Sequence, residues 1–127
     1  MGLAMYRILV IEDAQIVREP LSRLLISEGF DVASAADGHE AIAVLEARPV
    51  DLILLDVLMP RMDGVKFLSI LRGHERLKHI AVIAVTGISD TLKLTRLREL
   101  GVRSILHKVR FTFDGLVEEI RRQVGSP

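Results

Sequence analysis

The chain has 127 residues, half of them apolar, and its 17 Lys plus Arg balance 17 Asp plus Glu, so formal net charge is zero. That is enough for one compact domain with its own core, while a neutral chain with no Trp, one Tyr and four Phe lacks the basic field and stacking rings that nucleic acid requires. The absence of cysteine excludes disulfides and thiolate metal sites, and no run is apolar enough for a membrane span or a signal peptide, so a cytoplasmic domain without membrane or nucleic-acid partners is expected.

Apolar strand-like runs alternate with segments of helical period along the whole chain. Residues 1–5, which include a second methionine at Met5, read as a leader or vector remnant ahead of a domain at 6–124. Tyr6–Ile11 is the first expected strand. Gln15–Glu28 follows as a helix with Ile16, Val17, Leu21, Leu24 and Leu25 assigned inward, closed by Gly29. Asp31–Ala35 is a short strand, Asp37-Gly38 a turn, and His39–Glu46 a helix with Ala41, Ile42 and Leu45 inward. Pro49 precedes the third strand, Asp51–Leu55.

A loop carrying Met59-Pro60 leads to a helix over Gly64–Leu71, with Val65, Leu68 and Leu71 on its inner side. The mixed-charge stretch Arg72–His79 reads as a helix end and solvated loop. Ile80–Val85 is the fourth strand, and Asp90–Leu100 a helix capped by Ser89 or Asp90 and closed by Gly101. Val102–His107 holds the fifth strand. Phe113–Val124 is the last helix, capped by Thr112 or Asp114, with Leu116, Val117, Ile120 and Val124 inward. Residues 125–127 read as a tail or the cut edge of a longer protein. Strands alternating with helices imply right-handed βαβ units, and continuous apolar strands imply helices on both faces of the sheet. The expected fold class is α/β, a three-layer α/β/α sandwich around a five-stranded parallel sheet.

Charged residues stand where three of these strands end: Glu12 and Asp13 after the first, Asp56 after the third, Lys108 after the fifth. Strands of a parallel sheet end in register, so these side chains converge in one crevice. Three carboxylates beside one ammonium suit a cation-assisted reaction on an anion. Each residue alone has a plainer reading: Asp13 as a helix cap, Lys108 as a solvated side chain, Thr86 as a turn former. The histidines at 39, 74, 79 and 107 lack metal-ligand spacing and read as surface or strand-edge residues.

The pieces Ile11-Glu12-Asp13, Asp56-Val57-Leu58-Met59-Pro60-Arg61-Met62-Asp63-Gly64, Val85-Thr86-Gly87 and Lys108, in that order, resemble the receiver domain of two-component response regulators. The resemblance runs from about Tyr6 to Val124. It implies a flavodoxin-like fold with strand order 2-1-3-4-5. It implies that Asp56 accepts a phosphoryl group from a sensor histidine kinase or phosphotransfer protein. Mg²⁺ would be held by Asp13, Asp56, the backbone carbonyl of Leu58, and Glu12 through water. Lys108 and Thr86 would contact the phosphoryl oxygens, with Thr86 and position 105 forming the switch. Such a domain is not an enzyme in the usual sense, since it catalyses only its own phosphorylation and dephosphorylation. The family's partner or homodimer face, formed by helix four, strand five and helix five, is basic here through Lys93, Arg96, Arg98 and Arg103.

Three positions depart from the family's pattern. Val109 stands after Lys108 where receivers usually have Pro, so a trans bond is expected there. Ile105 replaces the common Tyr or Phe, and Gly87 replaces a small residue such as Ala. These imply retained phosphoryl chemistry with an altered switch that works through backbone and helix-four movement. Leu58 and Ile88 flank the site and offer no group to orient water, which implies a long-lived phosphoryl-aspartate. A pseudo-receiver that docks partners without phosphorylation is the alternative. A small Mg²⁺-dependent phosphatase using Asp56 is a third reading, but the chain has no insertion to enclose a small substrate.

Overall fold

The structure is a computed structural model that describes residues 5–57, 63–87 and 91–124. Its elements alternate strictly: β1 (Arg7–Ile11), α1 (Gln15–Ser27), β2 (Asp31–Ala35), α2 (Gly38–Ala47), β3 (Leu52–Asp56), α3 (Gly64–Gly73), β4 (Ala81–Thr86), α4 (Thr91–Glu99), β5 (Ser104–His107) and α5 (Phe113–Val124). The strands form one sheet in the order β2-β1-β3-β4-β5, all neighbours parallel. This is the flavodoxin-like order, in which ligands bind beyond the carboxyl ends of the strands where the order reverses. β1 and β3 are neighbours at that reversal.

Successive strand residues point to opposite faces, and both faces are apolar. Leu9, Ile11, Ile53, Leu55, Val82 and Ala84 pack with Ala41, Leu45, Phe67, Leu68, Leu71 and Leu97 from α2, α3 and α4. Ile8, Val10, Leu52, Leu54 and Ile83 pack with Leu25 of α1 and Leu116, Val117 and Ile120 of α5. Helices therefore cover both sides, as the unbroken apolar strands require.

The first helix corrects the expected inward set. Leu25 is fully buried and Leu21 half-buried, but Val17 and Leu24 are exposed and Ile16 is 84% exposed. At about 100° per residue, Ile16 lies on the opposite side of the helix from Leu25, with Val17 and Leu24 on the flank between them. The apolar stripe is wider than the face that the sheet can cover. Arg72–His79 also differs from its reading as solvated. Leu77 is buried, and the Arg72 guanidinium donates to the carbonyls of Leu100 (2.7 Å), Lys78 (3.0 Å), Ile80 (2.7 Å) and Gly101 (3.2 Å). It thereby ties the carboxyl ends of α3 and α4 to the start of β4, satisfying carbonyls that helix ends leave open.

Other boundaries follow local chemistry. Asp37 is the α2 cap, its side chain accepting from the Glu40 N–H, rather than part of a separate turn. Thr112 caps α5 by accepting from the Gly115 N–H at 3.0 Å. Gly29 and Gly101, with φ of +97° and +79°, supply the left-handed residues after α1 and α4. The expected caps Ser89 and Asp90 lie outside the described residues.

Candidate phosphoacceptor site

The carboxyl edge of the sheet gathers the charged residues. Asp56 is the last residue of β3 and only 5% exposed, held between β1 and β4. Glu12 directly follows β1, is equally buried, and donates its N–H to the Ala35 carbonyl of β2 at 3.1 Å. Asp13 is exposed beside it. Asp13 does not cap α1, because the cap position is Ala14 and no side chain caps there. Its carboxylate is thus not consumed by the helix end. Glu12, Asp13 and Asp56 each place a carboxylate oxygen within 4.8 Å of the others.

Lys108 closes the site from β5. Its N–H donates to the Thr86 carbonyl at 3.0 Å, and its Nζ donates to Asp56 Oδ2 at 3.0 Å. The chain beyond it folds back on His107, whose carbonyl accepts from Arg110 and Phe111 and whose Nδ1 accepts from Val109. Every peptide bond among the described residues is trans, Lys108–Val109 included. Thr86 ends β4 opposite His107 and is 1% exposed. Ile105 is half-buried and packs against the core cluster to which Leu97 of α4 also belongs.

Two further groups shape the site and were not expected from the sequence. Arg18, one turn into α1, donates to the Glu12 carbonyl at 2.8 Å and the Asp13 carbonyl at 3.2 Å, pinning the acidic turn to the helix. Gly64 brings the chain back against Val57, next to Asp56, with its N–H donating to the Val57 carbonyl at 3.0 Å. A Cβ at position 64 would lie 2.7 Å from both Val57 Cα and O, so only glycine permits this approach. No residue-type signature marks a guanidinium that bonds to backbone; the glycine was visible only as part of the motif. Leu58, expected to offer its carbonyl, and Ile88 lie outside the described residues.

Electrostatically the crevice is strained. Burial, aided by a hydrogen bond to Asp56 and repulsion from its charge, pushes the Glu12 carboxyl up from an ordinary 4.5 to about 8, against the attraction of Lys108. Burial works against the Lys108 charge, but the hydrogen bond to Asp56 and the neighbouring carboxylates outweigh it and raise its pKa. Part of the cause lies beneath the carboxylates. A cavity of ≈ 260 Å³ opens there, walled by Val10, Val17, Leu21, Leu54 and Phe111, and this apolar floor solvates charge poorly. One ammonium cannot neutralise three carboxylates. The donor set is all oxygen, which fits a hard divalent cation such as Mg²⁺.

Residues 8–121 match the protein family described as Response regulator receiver domain, and the chain belongs to that family. It is 31% identical over 121 residues to the probable chemotaxis protein CheY of Rhizobium etli, covering 94% of this chain and 93% of that protein. It is 32% identical over 103 residues to the CAI-1 autoinducer sensor kinase/phosphatase CqsS of Vibrio cholerae, covering 80% of this chain but 15% of the kinase. Among solved structures, response regulator protein TrrA of Thermotoga maritima, in complex with Mg²⁺ and BeF, superposes with a TM-score of 0.80 at 28% identity, covering 94% of this chain and 99% of that one. The chain is thus a receiver domain of two-component signalling, with an acidic cluster at the switch point of its sheet. Among the described residues no helix is long and apolar enough to cross a membrane.

Proposed function

We propose that this receiver is a phosphoacceptor switch in which Asp56 takes a phosphoryl group from a phosphohistidine of a sensor kinase or phosphotransfer protein. The convergence of Glu12, Asp13 and Asp56 within 4.8 Å, with Lys108 on Asp56, carries this reading. Asp13 and Asp56 would hold Mg²⁺ directly, with the Leu58 carbonyl, and Glu12 through water. The ion supplies positive charge that lets an anionic donor approach carboxylates. An Asp56 oxygen attacks phosphorus, the P–N bond breaks, its electron pair returns to the imidazole, and that nitrogen takes a proton. Lys108 then moves from the carboxylate to a phosphoryl oxygen, as a flexible point charge can. The Thr86 hydroxyl donates to another oxygen and draws the following loop towards the site.

The chain catalyses only its own phosphorylation and dephosphorylation. Output leaves through α4, β5 and α5, where Ile105, packed against the core cluster that α4 shares, replaces an aromatic reporter. A homodimer or a separate output partner would use the same face, on which Lys93, Arg96 and Arg98 are exposed. Acetyl phosphate with Mg²⁺ is the decisive test, read by intact mass. The expected result is one phosphoryl group on the native chain and none on Asp56→Asn. An unmodified native chain would overturn the reading and leave phosphorylation-independent docking in its place.

A further inference from the structure

The opposite edge of the sheet holds a cluster that the phosphoacceptor site does not use. The ends of α3 and α4 and the starts of β4 and β5 surround a cavity of ≈ 370 Å³, lined by Arg72, Lys78, His79, Glu99, Gly101 and Arg103 among others. Arg72 forms its floor, with its donors committed to four carbonyls. Those bonds satisfy geometry but leave a full positive charge in place. Arg103 lies close enough to weaken it: burial, then repulsion from Arg103, lowers the Arg72 pKa. Arg103 is itself exposed and makes no side-chain hydrogen bond or ion pair with any described residue. Glu99 lines the same cavity, yet pairs with neither arginine, and Lys78 leans outward on Glu75 at 3.2 Å.

We infer that this cavity is a second, anion-binding site, in which Arg103, Lys78 and His79 above the Arg72 guanidinium take a multiply charged phosphoryl group. Two guanidinium groups, Arg72 and Arg103, and the Lys78 ammonium against one lining carboxylate, Glu99, favour a dianion or higher over a single carboxylate. The guanidinium of Arg103 offers a fork for two phosphoryl oxygens, and Lys78 a movable point charge that an anion would recruit from Glu75. The volume lies within the range of small-molecule pockets, roughly 300–1,000 Å³, and admits a diphosphate with part of an attached group. The site is distinct from the acidic crevice, since β4 separates them by its length, roughly 17–20 Å at 3.3 Å per residue. It does not depend on Asp56 being phosphorylated.

The test is an amide NMR titration of the ¹⁵N-labelled chain in divalent-free buffer with pyrophosphate, a nucleoside diphosphate and inorganic phosphate in parallel. Saturable shifts at residues 78–80 and 101–104, tighter for the two diphosphates than for phosphate, are expected. Equal affinity for the two diphosphates would assign recognition to the phosphoryl groups alone; tighter nucleotide binding would place the attached group in the cavity as well. Arg103→Gln, at an exposed position, should weaken binding about tenfold, and Glu99→Gln should strengthen it, both with unchanged thermal unfolding. Shifts that fail to saturate, or that gather around Asp56 and Lys108, would overturn the proposal. So would an Arg103→Gln chain that binds like the parent.

Discussion

The two edges of the sheet treat buried charge in opposite ways. At the amino edge, Arg72 is met by four backbone carbonyls from two segments, 78–80 and 100–101, so its charge is absorbed by the fold. At the carboxyl edge, three carboxylates share one ammonium, and Glu12 meets the shortfall by holding its proton to about 8. The first edge is built to be stable as it stands. The second keeps an excess of negative charge that a divalent cation would offset in the proposed function, and beside it Ile16, Leu92 and Val109, in the segments that follow β1, β4 and β5, are 84%, 81% and 84% exposed. Stability and reactivity are thus separated along the strands, at opposite ends of one core.

That contrast can be broken from either side. Arg72→Met keeps the bulk of the side chain but strands the carbonyls of Leu100 and Gly101 after α4 and of Lys78 and Ile80 before β4; a loss of about 3 kcal/mol is expected in denaturant unfolding, with phosphoryl acceptance intact in the folded fraction. Lys108→Ala acts the other way. It removes the one ammonium beside three carboxylates, so it should lower stability by about 1 kcal/mol in divalent-free buffer, less than Arg72→Met, and slow phosphorylation about 100-fold, as removal of one oxyanion-stabilising group does elsewhere. Arg18→Ala frees the acidic turn from α1 and should weaken Mg²⁺ binding several-fold, with partial recovery in Arg18→Lys; calorimetric titration reads this without any phosphoryl donor.

A pH dependence sharpens the electrostatic half of the comparison. Glu12 is protonated in the fold at pH values where the unfolded chain has released its proton. In divalent-free buffer, folding stability therefore falls as pH rises from about 4.5 to about 8, and Glu12→Gln flattens that slope. Urea midpoints across that range supply the check. A native chain whose midpoint rises over the same window would contradict the assigned proton.

The fold was legible because β1, β3 and β4 are short, continuous apolar runs, and because strands and helices alternate along the chain. The acid pair, Asp56, Thr86 and Lys108 were legible because each directly follows, or ends, such a strand. What escaped detection depends on contacts that leave no local trace. Arg72 reaches carbonyls 28 and 29 residues away, so its neighbours Gly73 and His74 say nothing of its role. Arg18 bonds to backbone, which any residue type would present. Ile16 was misplaced for another reason. Its apolar character suggested burial, although helical geometry sets it opposite Leu25.

The central claim is that Asp13 and Asp56 share one divalent ion beside Lys108. A crystal structure of the chain with Mg²⁺ and beryllofluoride tests it most directly. The account predicts a single ion about 2.1 Å from oxygens of both aspartates, with beryllofluoride on Asp56 and Lys108 Nζ turned towards a fluorine. An ion bound by only one of the two carboxylates, or beryllofluoride absent from Asp56, would contradict it.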